Sequence, residues 1–340
     1  RIYSSSGWSD TESVVIVGVR NTSGFALKTL SNTTVSFAPL KPSVRFATGG
    51  VILPSTANLT IPLEATNVSA IEVEATQVYE ENVPQFLQVN TLEGSSELKR
   101  VGQVVWSQRV EIAGGSAAYN VVQHIGLDVS KLVKEHPTGL YRLSVRFKRA
   151  DILLDCPAQT WVEAEEEAAD WDDPSGEKSF WDYFESDGDG EGESGWSAWE
   201  HRDDPCRRAF YLPSYDHDLT ASKNVLISDV GLIAKQGMDG QLVAVATDLV
   251  KAAPLVGANL QLLDYQLQTI ATGVTGADGT VRLPAGDVRP FALVAKSGGQ
   301  AGWLRLDKGA ALATSHFDVG GAALTNGLEG YLYGERGIWR

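Results

Sequence analysis

An all-β fold, with antiparallel sandwiches in tandem and an acidic loop inserted between them, is predicted by three features of this chain. Short runs of alternating apolar and polar residues recur along it, which lets one face of each segment be buried while the other stays wet. Turn-forming residues separate those runs, and the 34 Gly and 13 Pro follow no triplet repeat that would indicate collagen. A single Met and the lack of any long Ala/Leu/Glu/Lys stretch argue against a helical bundle. At 340 residues the chain exceeds what one hydrophobic core usually organises, so two or three domains are expected. A hydrophobic fraction of 43% and a charged fraction of 21% exclude wholesale disorder.

Residues 1–40 contain the strand-like runs Ser13 to Val19 and Thr33 to Phe37, too few for an independent sandwich. We expect them to be the C-terminal part of a preceding β-domain, with a small accessory sheet as the alternative. Residues 41–152 carry alternating segments at Leu59 to Leu63, Ala70 to Tyr79, Val101 to Arg109 and Leu140 to Phe147, which predict a β-sandwich. One short helix is predicted from Asp128 to His136: Val129, Leu132 and Val133 share a face, Asp128 can cap, and Pro137-Thr138-Gly139 stops it. Residues 153–215 form the acidic, Trp-rich insert. Residues 216–320 give the clearest pattern, with seven runs: Val225 to Ala234, Gln241 to Asp248, Ala258 to Asp264, Gln268 to Val274, Thr280 to Leu283, Phe291 to Lys296 and Gln300 to Leu306. Turns such as Met238-Asp239-Gly240 and Ala277-Asp278-Gly279 separate them, and the spacing predicts an immunoglobulin-like sandwich with Ala258, Leu260 and Leu262 facing its interior. Residues 321–340 read as the start of a following domain.

Charge is concentrated in one place. The formal net charge is −15, and residues 157–205 alone hold 17 Asp/Glu against Lys178 and Arg202, so the remainder is neutral. This balance excludes a duplex-binding protein, whose affinity would rest on Lys and Arg neutralising phosphates. No apolar run approaches the roughly 18–20 residues of a membrane span, and the N-terminus has no signal-peptide organisation. We therefore expect no nucleic-acid partner and no membrane span here, and read the chain as a mature form or an excised fragment.

Cys156 and Cys206 border the insert. Two cysteines cannot build a tetrahedral zinc site alone, which leaves a disulfide or two free thiols. We expect the disulfide, worth roughly 4 kcal/mol by unfolded-chain entropy for a loop of that size, and with it an oxidising compartment. The insert also holds five of the nine tryptophans, and Phe180, Trp181, Tyr183 and Phe184 would form an aromatic patch on one helical turn. Such a patch has to be covered. Either it folds back on the neighbouring sandwiches, or it serves as a docking patch for another protein or another domain of the chain.

Motif searches assign no catalytic residue, cofactor or metal ligand. Asp187 to Glu193 begins like a calcium loop, but Ala198 stands where the bidentate Glu of an EF-hand is required. The histidines His124, His136, His201, His217 and His316 are scattered, and neither Asp216-His217-Asp218 nor His201 beside Asp203 and Asp204 makes a zinc signature. No nucleophile elbow or Walker loop occurs. Asn-x-Ser/Thr sequons stand at Asn21, Asn32, Asn58 and Asn67.

Three segments carry a resemblance. Tyr79 to Asn90 (YEENVPQFLQVN), Ser228 to Lys235 (SDVGLIAK) and Glu329 to Arg340 (EGYLYGERGIWR) resemble, in that order, the N-terminal half of bacterial α2-macroglobulins, the last looking like the family's lead-in to a further macroglobulin domain. The resemblance covers nearly the whole chain, with the acidic insert its least typical part. It implies a parent protein of tandem macroglobulin-like sandwiches, exported to the periplasm or cell surface and commonly membrane-tethered, that traps proteases once a bait segment is cut. Many members then capture the protease through a Cys-x-Glu-Gln thioester, which neither Cys156-Pro157 nor Cys206-Arg207 fits. The implied role for these residues is a non-catalytic scaffold whose partners are proteases, by way of the full parent, and other domains of the same chain. The alternative is an extracellular adhesion or cell-envelope structural module. In either role, the expectation is of sandwiches with separate cores joined by small, polar interfaces that permit relative movement.

Overall fold

The computed structural model describes residues 11–16, 18–26, 31–36, 38–55, 59–112, 114, 118–137, 139–156, 202–211, 219–237 and 240–306. The chain opens with an antiparallel pair, β1 (Thr11–Ile16) and β2 (Ser31–Ser36), in register from Thr11 opposite Ser36 to Ile16 opposite Ser31.

Two sheets then face each other. One is three-stranded, in the order β3 (Ser43–Phe46), β5 (Thr60–Thr66), β8 (Val122–Asp128). The other is five-stranded, in the order β4 (Ile52–Leu53), β10 (Thr220–Ile227), β9 (Leu140–Arg146), β6 (Ala70–Val78), β7 (Gly102–Glu111). Every pairing is antiparallel except the short one between β4 and β10. Alternation decides what lies between the sheets: Ile71, Val73 and Ala75 of β6, Tyr141, Leu143 and Val145 of β9, and Leu63 of β5 are all buried in one core. Helix α1 (Val83–Val89) and the single turn α2 (Leu98–Val101) lie in the connection from β6 to β7. Helix α3 (Ser130–Glu135) sits inside the predicted span and sends Leu132 into the core. Asp128 stands one residue before the N-cap Val129, yet its carboxylate accepts the Ser130 N–H at 2.8 Å. After α3 the chain needs Gly139, at φ +103°, because a Cβ there would lie 2.4 Å from the Val78 carbonyl.

The second sandwich follows. Strands β11 (Val230–Gln236), β12 (Gln241–Asp248), β13 (Ala253–Pro254) and β16 (Thr280–Pro284) form one sheet, with β12 pairing the other three. The facing sheet runs β15 (Thr269–Val274), β14 (Asn259–Leu263), β17 (Ala292–Ser297), β18 (Gln300–Arg305). Ala258, Leu260 and Leu262 are buried between the two sheets with Leu242, Leu283 and Leu293. In the turn before β16, Asp278 accepts the Thr280 N–H at 3.0 Å. Gly279 takes φ +74° there, where a Cβ would stand 2.6 Å from the Ala246 carbonyl.

The structure corrects the reading of Val225 to Ala234 as one strand. Ser228-Asp229 divides it, and the two halves serve different sandwiches: β10 completes the first, beside β9, and β11 begins the second. The segment after the insert thus returns to the first sandwich before the chain enters the next one.

Candidate functional site

The joint between the sandwiches is where the described residues build something beyond two separate cores. Past Val78 the chain makes a 3-10 turn at Glu80–Asn82 and runs into α1, with a proline in its first turn. Val83, Phe86 and Leu87 have helical spacing and are all buried. Asn90 then pins the exit from α1. Its amide donates to the Phe86 carbonyl at 3.1 Å and the Ser96 carbonyl at 2.9 Å, and its side-chain oxygen accepts the Ser96 N–H at 2.8 Å. The loop so formed is held to the first sandwich by Asn224, whose amide donates to the carbonyls of Leu92 (2.8 Å) and Gly94 (2.6 Å).

This platform meets the second sandwich through apolar groups. From the first side come Val78, Val83, Phe86, Leu87, Leu140 and Leu226, with Leu98 and Val101 of α2; from the second come Leu263, Phe291, Ala292, Val294, Ala301 and Trp303. All are buried, Phe86 to 1% and Trp303 to 5% exposure. The expected small, polar contact is therefore corrected: this is a continuous apolar core laid across the boundary. Polar bonds ring it. Arg305 donates to the Asn90 carbonyl at 2.6 Å and stands over the Phe291 ring, Tyr265 packs edge-on against Phe291, and Lys296 pairs with Glu80 at 2.6 Å.

At the crossing point sits a polar clasp. The Asp229 carboxylate accepts the Ser55 N–H (2.7 Å) and the Ser55 hydroxyl (2.6 Å) through its two oxygens, and the second oxygen also accepts the Gln300 amide at 3.0 Å. Asp229 N–H donates back to the Gln300 side-chain oxygen at 2.6 Å. Partial burial by itself would raise the Asp229 carboxyl, but the hydrogen bonds from Ser55 and Gln300 outweigh it and hold the group below the ordinary carboxylate range. Next to it, buried Ser228 donates its hydroxyl to the Ala301 carbonyl at 2.8 Å and accepts the Val230 N–H at 3.0 Å. Gly302 allows the approach, since a Cβ there would come within 3.1 Å of the Val230 backbone. Two of the three segments that carried the resemblance, Tyr79 to Asn90 and Ser228 to Lys235, thus contribute to one joint. Sequence reasoning did not assign them this role. For α1 the signal was present in the early proline and the spacing of Val83, Phe86 and Leu87; for Ser55, Asp229 and Gln300, which are far apart in sequence, there was none.

The other expected features lie elsewhere. Cys156 and Cys206 are joined by a disulfide with Cα atoms 5.3 Å apart. Its flanks are anchored on the first sandwich: Leu153 N–H donates to the Asn67 carbonyl at 2.9 Å, and Phe210 lies in that sandwich's core. Phe180, Trp181, Tyr183 and Phe184 lie outside the described residues, as do the Asp187 to Glu193 run, His201, Asp216-His217-Asp218, His316 and the segment Glu329 to Arg340. His124 stands exposed with Nδ1 3.7 Å from Glu64. Among the described residues no three His, Cys, Asp or Glu side chains come together as metal ligands, and no helix is long and apolar enough to cross a membrane. A shallow open groove of about 390 Å³ on the second sandwich is lined by Asn259, Gln261, Thr272, Val274, Val294 and Lys296. Its one ionisable group, Lys296, is engaged by Glu80. Of the sequons, Asn67 is buried to 1%, its amide donating to the Leu40 carbonyl at 2.6 Å and its side-chain oxygen accepting the Asn120 N–H. Asn21 is exposed, and its side-chain oxygen accepts two backbone N–H groups of its own turn.

Comparison with known proteins relates the second sandwich to a family of domains. Residues 227–323, which begin at the last residue of β10 and contain the whole second sandwich, match the family described as "Bacterial alpha-2-macroglobulin MG3 domain". A curated alpha-2-macroglobulin of Pasteurella multocida (strain Pm70) is 27% identical over 125 residues, covering 34% of this chain. The chain thus carries, over residues 227–323, a stretch that matches the bacterial alpha-2-macroglobulin MG3 domain. It spans 7% of the length of that α2-macroglobulin. Among solved structures, native α2-macroglobulin from Escherichia coli spanning domains MG0-NIE-MG1 superposes with a TM-score of 0.50 at 18% identity, covering 87% of this chain and 75% of that one. At that identity the likeness speaks for the fold, an all-β arrangement of macroglobulin sandwiches.

Proposed function

We propose that this chain is a scaffold portion of a bacterial α2-macroglobulin-like protease inhibitor, non-catalytic in itself, acting in the periplasm or at the cell surface. The observation that carries the reading is the match of residues 227–323 to a macroglobulin domain, seated by an apolar joint on the first sandwich. Division of labour follows from that arrangement. A trap has to hold its reactive parts at fixed positions until it is cut, and sandwiches with buried cores hold position without chemistry of their own. Within the chain we place the domain boundary at Ser228-Asp229, where β10 and β11 part company. The partners in this reading are proteases, met through the larger inhibitor, and neighbouring domains of the same chain.

The test is to mix this chain, and separately a full-length inhibitor containing it, with trypsin and measure stoichiometric protection of the protease from a macromolecular inhibitor. The expected result is protection by the full-length protein and none by the chain alone. Independent, stoichiometric trapping by these 340 residues would overturn the scaffold assignment, as would a full-length protein that traps proteases equally well without them.

A further inference from the structure

We propose that the two sandwiches move as a single rigid body, locked by the apolar joint and by the Asp229 clasp, so that any rearrangement of a larger assembly hinges outside them. Neighbouring domains in one chain ordinarily meet through modest, fairly polar surfaces and shift relative to one another. Three observations set this pair apart.

First, the contact is built like an interior. Phe86, Trp303 and Phe291 are buried to 1%, 5% and 3% exposure, comparable to residues inside either sandwich. Opening the joint would return these rings and their neighbours to water, and apolar burial is the dominant force holding such surfaces together. Second, the connection has no slack. β10 ends at Ile227 and β11 starts at Val230, and both residues between them are bonded on each side of the boundary. Ser228 N–H donates to the Leu53 carbonyl of the first sandwich while its hydroxyl donates to Ala301 of the second; Asp229 joins Ser55 to Gln300. A hinge needs a few residues free to change φ and ψ, and none is present here. Third, the bonds around the rim, from Arg305 to Asn90 and from Lys296 to Glu80, stand apart from the clasp and oppose rotation about it.

The clasp is also acid-sensitive in a defined direction. Asp229 is charged at neutral pH, and Asp248 and Lys251 are the ionisable groups whose fields reach it. Its carboxyl is held below the ordinary value, so its contribution is complete above that value and lost as pH falls through the depressed one. Rigidity should loosen in acid.

The experiment is a distance measurement in the full chain with the native disulfide intact. Nitroxides are attached at Gln108→Cys on the exposed edge strand β7 and at Arg282→Cys on the exposed face of β16, and the distance distribution is read by pulsed electron resonance. A Gly/Ser segment inserted between Ser228 and Asp229 serves as the uncoupled control, and circular dichroism verifies that each variant keeps its strands. The expected result is one narrow peak for the unmodified joint at neutral pH and a broad distribution for the control. Asp229→Ala should broaden the peak, and acid should broaden it in the parent and leave the Asp229→Ala chain little changed. A parent distribution as broad as the control would overturn the proposal. A narrow peak that survives Asp229→Ala would remove the clasp from it.

Discussion

The outward face of the five-stranded sheet changes character along its length, and the two ends make an instructive pair. At one end Val78, Leu140 and Leu226 stand side by side across β6, β9 and β10, and the second sandwich covers them. Six residues along the strands, Glu72 of β6 lies beside Arg146 of β9, which donates to it at 3.0 and 3.1 Å, with Lys148 pairing at 2.7 Å and Arg109 reaching Asp151 at 2.6 Å nearby. Between the ends the rows pass through Thr76, Arg142 and Asn224 and then Glu74, Ser144 and Ser222. Alternation along a strand decides which residues point outward, but the composition of each cross-strand row decides what the outward face can meet. A neighbour docks where the row is apolar, and the charged row is satisfied by ion pairs within the first sandwich.

This contrast can be broken experimentally at several strengths. The largest effect is expected at the apolar end: Phe86→Ala should cost about 3–5 kcal/mol in urea denaturation, the usual range for a large buried aromatic. A loss within about 0.5 kcal/mol, as for a surface site, would mean the joint is not an interior. Opening the Cys156–Cys206 disulfide by replacing both residues with Ala should cost about 2–4 kcal/mol of stability, read as a lower urea midpoint. The joint distance should not change, because the residues flanking the disulfide are anchored on the first sandwich. Asp229→Ala is expected to cost about 1.5–3 kcal/mol at neutral pH, as for hydrogen bonds to a charged group, and to cost less as the pH falls through the depressed carboxyl value; a penalty constant with pH would contradict the charged clasp. The smallest effect belongs to Glu74, in the row next to the charged end. Burial raises the Glu74 carboxyl, and one of its oxygens is enclosed without a hydrogen-bond donor. A raised carboxyl favours the fold below its unfolded value and loses that advantage as pH rises through the folded one. Glu74→Gln should therefore raise stability slightly at neutral pH, and the gain should vanish in acid.

Much of this fold is legible in the sequence where a pattern is local. Ile71, Val73 and Ala75 alternate with Glu72 and Glu74, and that period gives both the strand and its buried face. Asp278-Gly279 announces a turn because only a residue without a Cβ fits beside the Ala246 carbonyl. The joint is harder to see. Val225 to Ile227 and Val230 to Ile233 read as one apolar run, since a strand tolerates two small polar residues, and only register against two different sandwiches separates them. The polarity of an interface is not a property of any one segment either. Leu140, Leu226 and Trp303 look like ordinary core residues until the structure shows that their neighbours lie across a boundary.

The position of Asn67 has a practical side. When this chain is secreted through a eukaryotic host, each Asn-x-Ser/Thr triplet invites oligosaccharyltransferase, and heterogeneous sugars often spoil the preparation. At Asn67 the amide is already spent on the Leu40 carbonyl and the residue is sealed from solvent. A sugar found there would mark molecules decorated before they folded, so mass spectrometry of that one peptide reports how fast the first sandwich closes in the secretory pathway.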